Sequence, residues 1–434
     1  MNDNPHFDLE SAVDSIREAI DFVNRRIINR TDVIDQIFCA LLTREHALLQ
    51  SRTGAAKSLL VMQVFNMFEG AKTFKVQASK EQQPDTYFGG LDIEELKKGR
   101  IFHNTSDSLV DSEFGFIDEI FDANDYTLRS LLSTLNERAL ILGAQQVPAK
   151  THSVIAATNY LRVSEVTEAV LDRFMYKSLF VPEKVPYVQF QISRRYIEHR
   201  GKASQPKRKI PYSILHTMSR IIKGEHPEMS VFVPLEVIYF ANLVVRHYEV
   251  QRNRFLKDQP QDQSRGRDFY ISPRTQARAM DLLRVSALLH GREAVILEDV
   301  SKLWYLFTVV GIQEQKEMFQ KSYNTIFKQN DASGAFEQAN KLLNFQEFLE
   351  MLKNNKTLLD EPITQLETNP IKRSLVEWAK ETLGMTQHTK EENRRILEGY
   401  LKSIQPVTEE LHELKLQQEK DIFELFNQAS RIWN

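Results

Sequence analysis

Ser51-Arg52-Thr53-Gly54-Ala55-Ala56-Lys57-Ser58 lies between a short apolar run, Ala47-Leu48-Leu49, and an apolar helical pattern over Leu59 to Phe68. The order reads as strand, tight loop, helix. A phosphate-binding loop needs small residues so that backbone N–H groups can approach an anion. It also needs a lysine for the outer phosphates, a hydroxyl for Mg2+, and a helix whose N-terminus faces the charge. Gly54, Ala55 and Ala56 are small, Lys57 and Ser58 fill the two polar roles, and Leu59 opens the helix. The strict G-x-x-x-x-G-K-[ST] pattern is broken at Ser51 and Ala56, each of which stands where it has a glycine. A plain strand-to-helix turn is the alternative.

Two further segments answer to the same chemistry. Phe114-Gly115-Phe116-Ile117 is an apolar strand that runs into Asp118-Glu119. Adjacent carboxylates at the end of a buried strand are costly unless a cation or substrate uses them. Beside a phosphate loop, the first would hold Mg2+ and the second would polarise an attacking water. The other reading is an acidic cap on a helix that starts at Asp118. Val154-Ile155-Ala156-Ala157 is a third buried-type strand, followed by Thr158-Asn159. An asparagine at that strand tip can hydrogen-bond a terminal phosphate or its water, or serve as a turn residue. Thr73–Val76 and Ser178–Val181 add two strands, and Tyr126–Leu135 is one of the helical patterns between them. Strands alternating with helices predict an α/β fold, a parallel sheet covered on both faces, over roughly residues 1–190. Thr31 or Asp32 is positioned to cap the helix that ends before Ala47.

The composition excludes several other classes. Lys and Arg total 56 against 59 Asp and Glu, a formal charge of −3, which argues against a polybasic nucleic-acid coat. Apolar residues make up 42% and charged residues 26%, enough for real cores and too apolar for disorder. The single cysteine, Cys39, sits in the apolar run Ile37–Leu42 and excludes both an intramolecular disulfide and a cysteine-based zinc site. The acidic N-terminus is unlike a secretory signal, and the longest apolar stretches fall short of a membrane span. A cytoplasmic protein with no membrane association is expected. Beyond Val181 the pattern is helical: a basic linker with Lys202, Lys207, Arg208 and Lys209, then helices over Tyr212–Tyr248, Pro273–His290 and Leu297–Val310.

The ordered set GAAKS, FIDEI, LLSTLNER, VIAATN, LDRF and SPRT resembles the MoxR branch of the AAA+ ATPases, closest to its RavA-like members. The lead-in Asn29–Ile34, the stretch Arg44–Leu49 and the tail Ala287–Val295 are similar to that branch as well, so the resemblance covers roughly Ile16 to Val310. It implies a P-loop AAA+ core with a five-stranded parallel sheet over 1–200, an α-helical lid over 201–312 and an α-helical extension over 313–434. It further implies ATP as ligand with Mg2+ as cofactor, Gly54 to Leu59 at the nucleotide, and Ser58 with Asp118 at the metal. Glu119 would activate water and Asn159 would be sensor 1. Arg173, in Leu171-Asp172-Arg173-Phe174, would be the arginine finger for a neighbouring subunit, with an ordinary surface ion pair as the alternative; Arg138 is a second candidate. Arg274, in Ser272-Pro273-Arg274-Thr275, matches sensor 2, on a helix that Ser272 can cap.

The function implied is ATP hydrolysis coupled to remodelling of a protein client by a homo-oligomer, a hexameric ring, working beside a von Willebrand factor A domain partner. The departures at Ser51, Arg52 and Thr53 leave a hydrolysis-poor ATP-binding scaffold or switch as the alternative, with weak turnover. A nucleic-acid motor is disfavoured by the overall charge and the lack of an aromatic-basic array. The insert over Pro84–Val110, with Phe88-Gly89-Gly90 and His103, would face a pore or a client by resemblance, or form a solvated hairpin. The last helix, after Pro406, carries Leu411, Leu414, Ile422, Leu425 and Ile432 on one side, with Phe423, Phe426 and Trp433 nearby. Such a stripe serves as core or as a docking face for a partner.

Overall fold

The computed structural model describes residues 7–52, 54, 56–142, 145–160, 165–180, 185–200, 206, 208–257, 271–307, 314–363, 366 and 390–427. The chain falls into two compact units, Met1–Val233 with Glu249–Gln320, and Pro234–Tyr248 with Lys321–Asn434.

The five expected strands form one sheet. They are β1 (Ala47–Ser51), β3 (Thr73–Gln77), β4 (Phe114–Asp118), β7 (Ser153–Thr158) and β8 (Tyr176–Phe180), in the order β3-β4-β7-β1-β8 and all parallel. The central strands are buried along nearly their whole length, which is why they read as continuous apolar runs. At the edge, β3 alternates between exposed and half-buried positions. Helices cover both faces. On one side α6 (Asp125–Glu137) and α7 (Glu165–Arg173) bring Leu128, Leu131, Leu135, Val170 and Phe174 onto Leu48, Ile117, Val154 and Ala156. On the other lie α1 (Leu9–Arg26), α2 (Thr31–Leu42) and α3 (Lys57–Phe65), where Phe65 stacks on Phe114 with ring centroids 4.8 Å apart.

Local boundaries differ from the sequence reading in ways that have causes. The helix after the loop ends at Phe65, because Phe68–Glu69 (β2) pairs with Ile210–Pro211 (β9) in a small parallel ribbon. Strands therefore do not stop at Val181, which itself lies outside the described residues, as do Lys202 and Lys207 of the linker. Neither Thr31 nor Asp32 caps α2: Arg30 occupies the cap position, without a side-chain capping bond, and Thr31 is already helical. Arg138 is not a free finger. It is half-buried, ends α6 in a left-handed turn, and donates to the carbonyls of Thr151 (3.0 Å), His152 (2.8 Å) and Arg44. The β5 (Ala139–Leu142) and β6 (Gln145–Pro148) hairpin follows directly. The insert holds two short helices, α4 (Asp85–Phe88) and α5 (Ile93–Lys97). At Gly89 a Cβ would fall 1.8 Å from the Asn104 carbonyl oxygen, so only glycine fits there.

After the sheet come α8 (Pro186–His199), α9 (Tyr212–Lys223), α10 (Leu235–Lys257), α11 (Pro273–Leu289) and, after a 3-10 turn over Leu297–Leu303, α12 (Trp304–Phe307). Ser272 caps α11 through Thr275 N–H at 3.2 Å, with Pro273 in the first turn, as its sequence predicts. In the second unit α13 (Gln315–Ser333) gives way to α14 (Ala335–Asn354), α15 (Lys390–Ser403) and α16 (Glu409–Asn427). Leu342, Phe345, Phe348, Leu349, Ile396, Leu397, Leu411, Ile422 and Leu425 form its core. The stripe of the last helix is thus core, with Phe423 exposed, while Ile432 and Trp433 lie outside the described residues.

Candidate nucleotide site

In a parallel sheet every strand delivers its C-terminal end to the same edge, so the residues after β1, β4 and β7 meet although more than a hundred positions separate the first from the last. Lys57 opens α3 and is only 7% exposed. Its Nζ donates to the Thr158 carbonyl at 3.2 Å and to Asn159 Oδ1, and stands 4.0 Å from Glu119 Oε1. Asn159 in turn donates to Glu119 twice, through its side-chain Nδ2 and through its backbone N–H at 3.0 Å. Ser58 Oγ donates to Asp118 Oδ2 at 3.1 Å. Lys57, Ser58, Asp118, Glu119 and Asn159 are therefore one connected cluster.

Local sequence explains each placement. Thr158 Oγ1 bonds the carbonyl of Tyr160 at 2.6 Å, a tight hydroxyl turn that lifts Asn159 off the end of β7. Glu119 sits at φ 50°, so the chain turns sharply after Asp118 and the two carboxylates diverge: Asp118 to Ser58, Glu119 to Asn159. In the loop, Gly54 has φ +84°, a conformation glycine adopts without strain. Ala56 is also left-handed, at φ 61°, where a Cβ carries a cost of about 1 kcal/mol. Ala55 lies outside the described residues. Leu59 falls in the first turn of α3.

These groups fit the ligand they were assigned. No side chain caps α3, which leaves its first-turn N–H groups aimed at whatever occupies the loop, with the Lys57 ammonium beside them. Ser58 and Asp118 offer two hard oxygen donors side by side, the donor set of a magnesium ion that keeps its other positions for phosphate and water. Burial raises the pKa of Glu119 above the ordinary carboxylate range, with Asp118 and Asp122 adding to the rise against the Asn159 N–H and Lys57. A carboxylate raised in this way is a better proton acceptor than an ordinary glutamate.

Arg173 and Arg274 do not join this cluster. Arg173 ends α7, three residues before β8 begins, and pairs with Asp172 at 2.6 Å. Arg274 lies one helical turn before Arg278, which binds Glu45 at 2.8 Å just ahead of β1. Both arginines thus stand at the N-terminal edge of the sheet, a strand length of about 16 Å from the loop edge. They also sense each other: the charge of Arg274 is disfavoured first by burial and then by Arg278 and Arg173, against Glu45 and Asp172. The composition of this second cluster, Glu45 with Lys223 and Arg278, went unread in the sequence. Its one signal is a charged triplet, Arg44-Glu45-His46, set directly before a buried strand.

A nucleotide-binding α/β core followed by an α-helical lid is the class that this fold and site define. The MoxR domain of the MoxR-vWA-beta-propeller ternary systems matches residues 14–191, and an AAA lid domain matches residues 251–310. An uncharacterized protein of Methanocaldococcus jannaschii is 31% identical over 38% of this chain and 44% of its own length, so the chain spans less than half of that relative. Chaperone MoxR1 of Mycobacterium tuberculosis is 25% identical over 67% of this chain and 74% of its own. A solved structure from Cytophaga hutchinsonii, described as a candidate ATPase, shares the fold at a TM-score of 0.55 and 17% identity, over 74% of this chain and 95% of that one. The two matched segments support a MoxR-type AAA+ ATPase. Among the described residues, no helix is long and apolar enough to cross a membrane.

Proposed function

We propose that this protein hydrolyses ATP at the interfaces of a homo-oligomeric ring, hexameric by family resemblance, and uses the cycle to remodel a protein client in the cytoplasm. The observation that carries the reading is the separation of the two clusters. Lys57 and the loop amides hold the phosphates of ATP, and Glu119, oriented by Asn159, accepts the proton of the attacking water. Ser58 and Asp118 would hold magnesium, which when bound would supply charge neutralisation on the phosphates. Developing charge on the terminal phosphoryl also needs cations. Arg173 and Arg274 are out of reach of their own loop, being a full strand length away, so they serve the ATP of a neighbour. Hydrolysis then depends on assembly. In this reading the core (1–200) carries the loop, the lid (201–312) carries Arg274, and the extension (313–434) adds a helical unit with its own packed core.

Exposed apolar surface supports engagement of other proteins. Tyr187, Phe190, Tyr196 and Ile197 on α8, and Ile93 and Ile101 in the insert, are each 60% exposed or more. The matched domain description names a vWA protein and a β-propeller as system members, and a relative is named a chaperone. On these grounds a von Willebrand factor A domain protein is the partner proposed.

The left-handed Ala56 and the Ser51 substitution favour a second reading, a scaffold that binds ATP and turns it over poorly. Steady-state ATPase rate against protein concentration, for wild type and Glu119→Gln, separates the two. A rate per subunit that climbs with concentration and collapses in the variant is expected. A flat background in both overturns hydrolysis by the isolated chain and leaves the scaffold.

A further inference from the structure

Glu45 is a carboxylate only 2% exposed, in a junction between core and helical elements that come from three distant segments of the chain. Arg278 of α11 binds its Oε2 at 2.8 Å and Lys223 of α9 reaches its Oε1 at 3.4 Å. Lys223 lies also 3.9 Å from Asp281 of α11. The carboxylate therefore ties the C-terminal turn of α9 and the N-terminal half of α11 to the backbone that leads into β1. A buried charge of this kind is tolerated only with such partners, and losing one leaves the others uncompensated.

We infer that Glu45 is a positioning residue for ATP hydrolysis: it pegs α11 through Arg278 and so sets where Arg274, one turn earlier on the same helix, is presented beside Arg173. This rests on the reading that Arg274 serves a neighbouring subunit's ATP. Two guanidinium groups held near each other repel, and nothing in α11 itself would keep them together. Helix geometry transmits the restraint, since four residues advance only about 6 Å and an α-helix does not bend freely over one turn. Glu45 also supplies negative charge to the pair, which lowers the cost of their proximity. Glu45 touches neither the loop nor its carboxylates, so its effect is on the site of the adjacent subunit and not on its own.

Glu45→Gln is expected to lower kcat about tenfold or more, while ATP affinity read with a fluorescent nucleotide stays within about twofold. Arg278→Gln removes the peg from the other side at a half-exposed position and is expected to reproduce the loss should Glu45→Gln fold poorly. A simple defect in folding would give the same fall in rate, so a mixing experiment is needed. Glu45→Gln subunits keep an intact loop, and Lys57→Ala subunits keep intact arginines. Mixed, the two slow variants are expected to regain hydrolysis at interfaces that join a good loop to good arginines. Arg274→Ala mixed with Lys57→Ala is the control. Regain in the control without regain for Glu45→Gln or Arg278→Gln overturns the positioning role and leaves the shared site standing. No regain in either mixture overturns the shared site itself, and the role of Glu45 with it. Wild-type kcat in both peg variants also overturns the proposal.

Discussion

The two edges of the central sheet each gather buried charge, and they do so in opposite ways. At the loop edge, six polar residues arrive on three short segments, each at or just beyond the end of a strand: Lys57-Ser58 after the loop that follows β1, Asp118-Glu119 and Thr158-Asn159. At the other edge, Glu45, Arg173, Lys223, Arg274 and Arg278 come from a strand lead-in and three helices, with no common motif. The first edge has the composition of a ligand site, because its lysine, its uncapped helix end and its carboxylates form one cluster. The second is mostly satisfied from within: Glu45 neutralises two cations and Asp172 a third, leaving Arg274 with a surplus of like charge around it. Under the function proposed, the site for an anion and the cations offered to a neighbour's anion would occupy the two ends of one sheet, a strand length apart.

The sharpest way to break this contrast is Arg173→Ala. A fall in kcat on the order of a thousandfold with ATP affinity unchanged is expected, since an arginine finger acts on the transition state. If affinity dropped in parallel with rate, the two edges would belong to one site and the contrast would fail.

Arg138→Met tests the fold between the edges. Three carbonyls, of Thr151, His152 and Arg44, lose their donor in the interior, and a destabilisation of about 3 kcal/mol is expected in urea unfolding. An unchanged midpoint would show that water replaces the guanidinium, whose pKa burial now brings down to about 10.

Smaller, but specific to the loop edge, is the pH dependence. Glu119 must be ionised to accept a proton, and its pKa is raised by burial, so activity is expected to fall as pH drops through a midpoint above the usual glutamate value of about 4.3. Asn159→Ala removes a donor to the charged form and is expected to move that acidic limb higher still, with a roughly tenfold loss of rate. A limb that does not move would assign it to another group. Acid also acts on the core. His152 is buried with its pKa lowered to about 3, its Nε2 2.7 Å from the carbonyl of Leu41. The unfolded chain takes up this proton first, so the stability contribution is full above about pH 6.5 and is lost as pH falls toward 3.

The smallest effect sharpens the loop itself. Ala56→Gly relieves a left-handed alanine at an exposed position and is expected to add about 0.5–1 kcal/mol of stability, net of the extra freedom glycine brings to the unfolded chain. A destabilised variant would mean that the alanine methyl makes a contact worth more than its strain.

Much of the sheet was legible because parallel strands buried on both faces must be continuous apolar runs, and all five were located within two or three residues. The loop-edge site was legible for the same topological reason: where strands end together, residues in order along the chain become neighbours in space. Helix ends were read less well. Arg30, whose side chain makes no capping bond, took the cap of α2 from Thr31, and β2 cut short the helix that periodicity carried to Phe68. Residues Leu411, Ile422 and Leu425 read equally as core or docking face, since a stripe shows only that something covers it; packing against Phe345, Phe348 and Leu397 settles it as core.

What the sequence by itself determined is which polar residues gather at one edge, since each is placed by its position at or just beyond the tip of a strand. What only the tertiary structure decided is where the arginines stand and what holds them there. An isolated arginine in LDRF or SPRT carries no information about distance. That distance is set by the run of β1 and β8 between the sheet's two edges and by a buried carboxylate whose partners lie 178 and 233 residues along the chain.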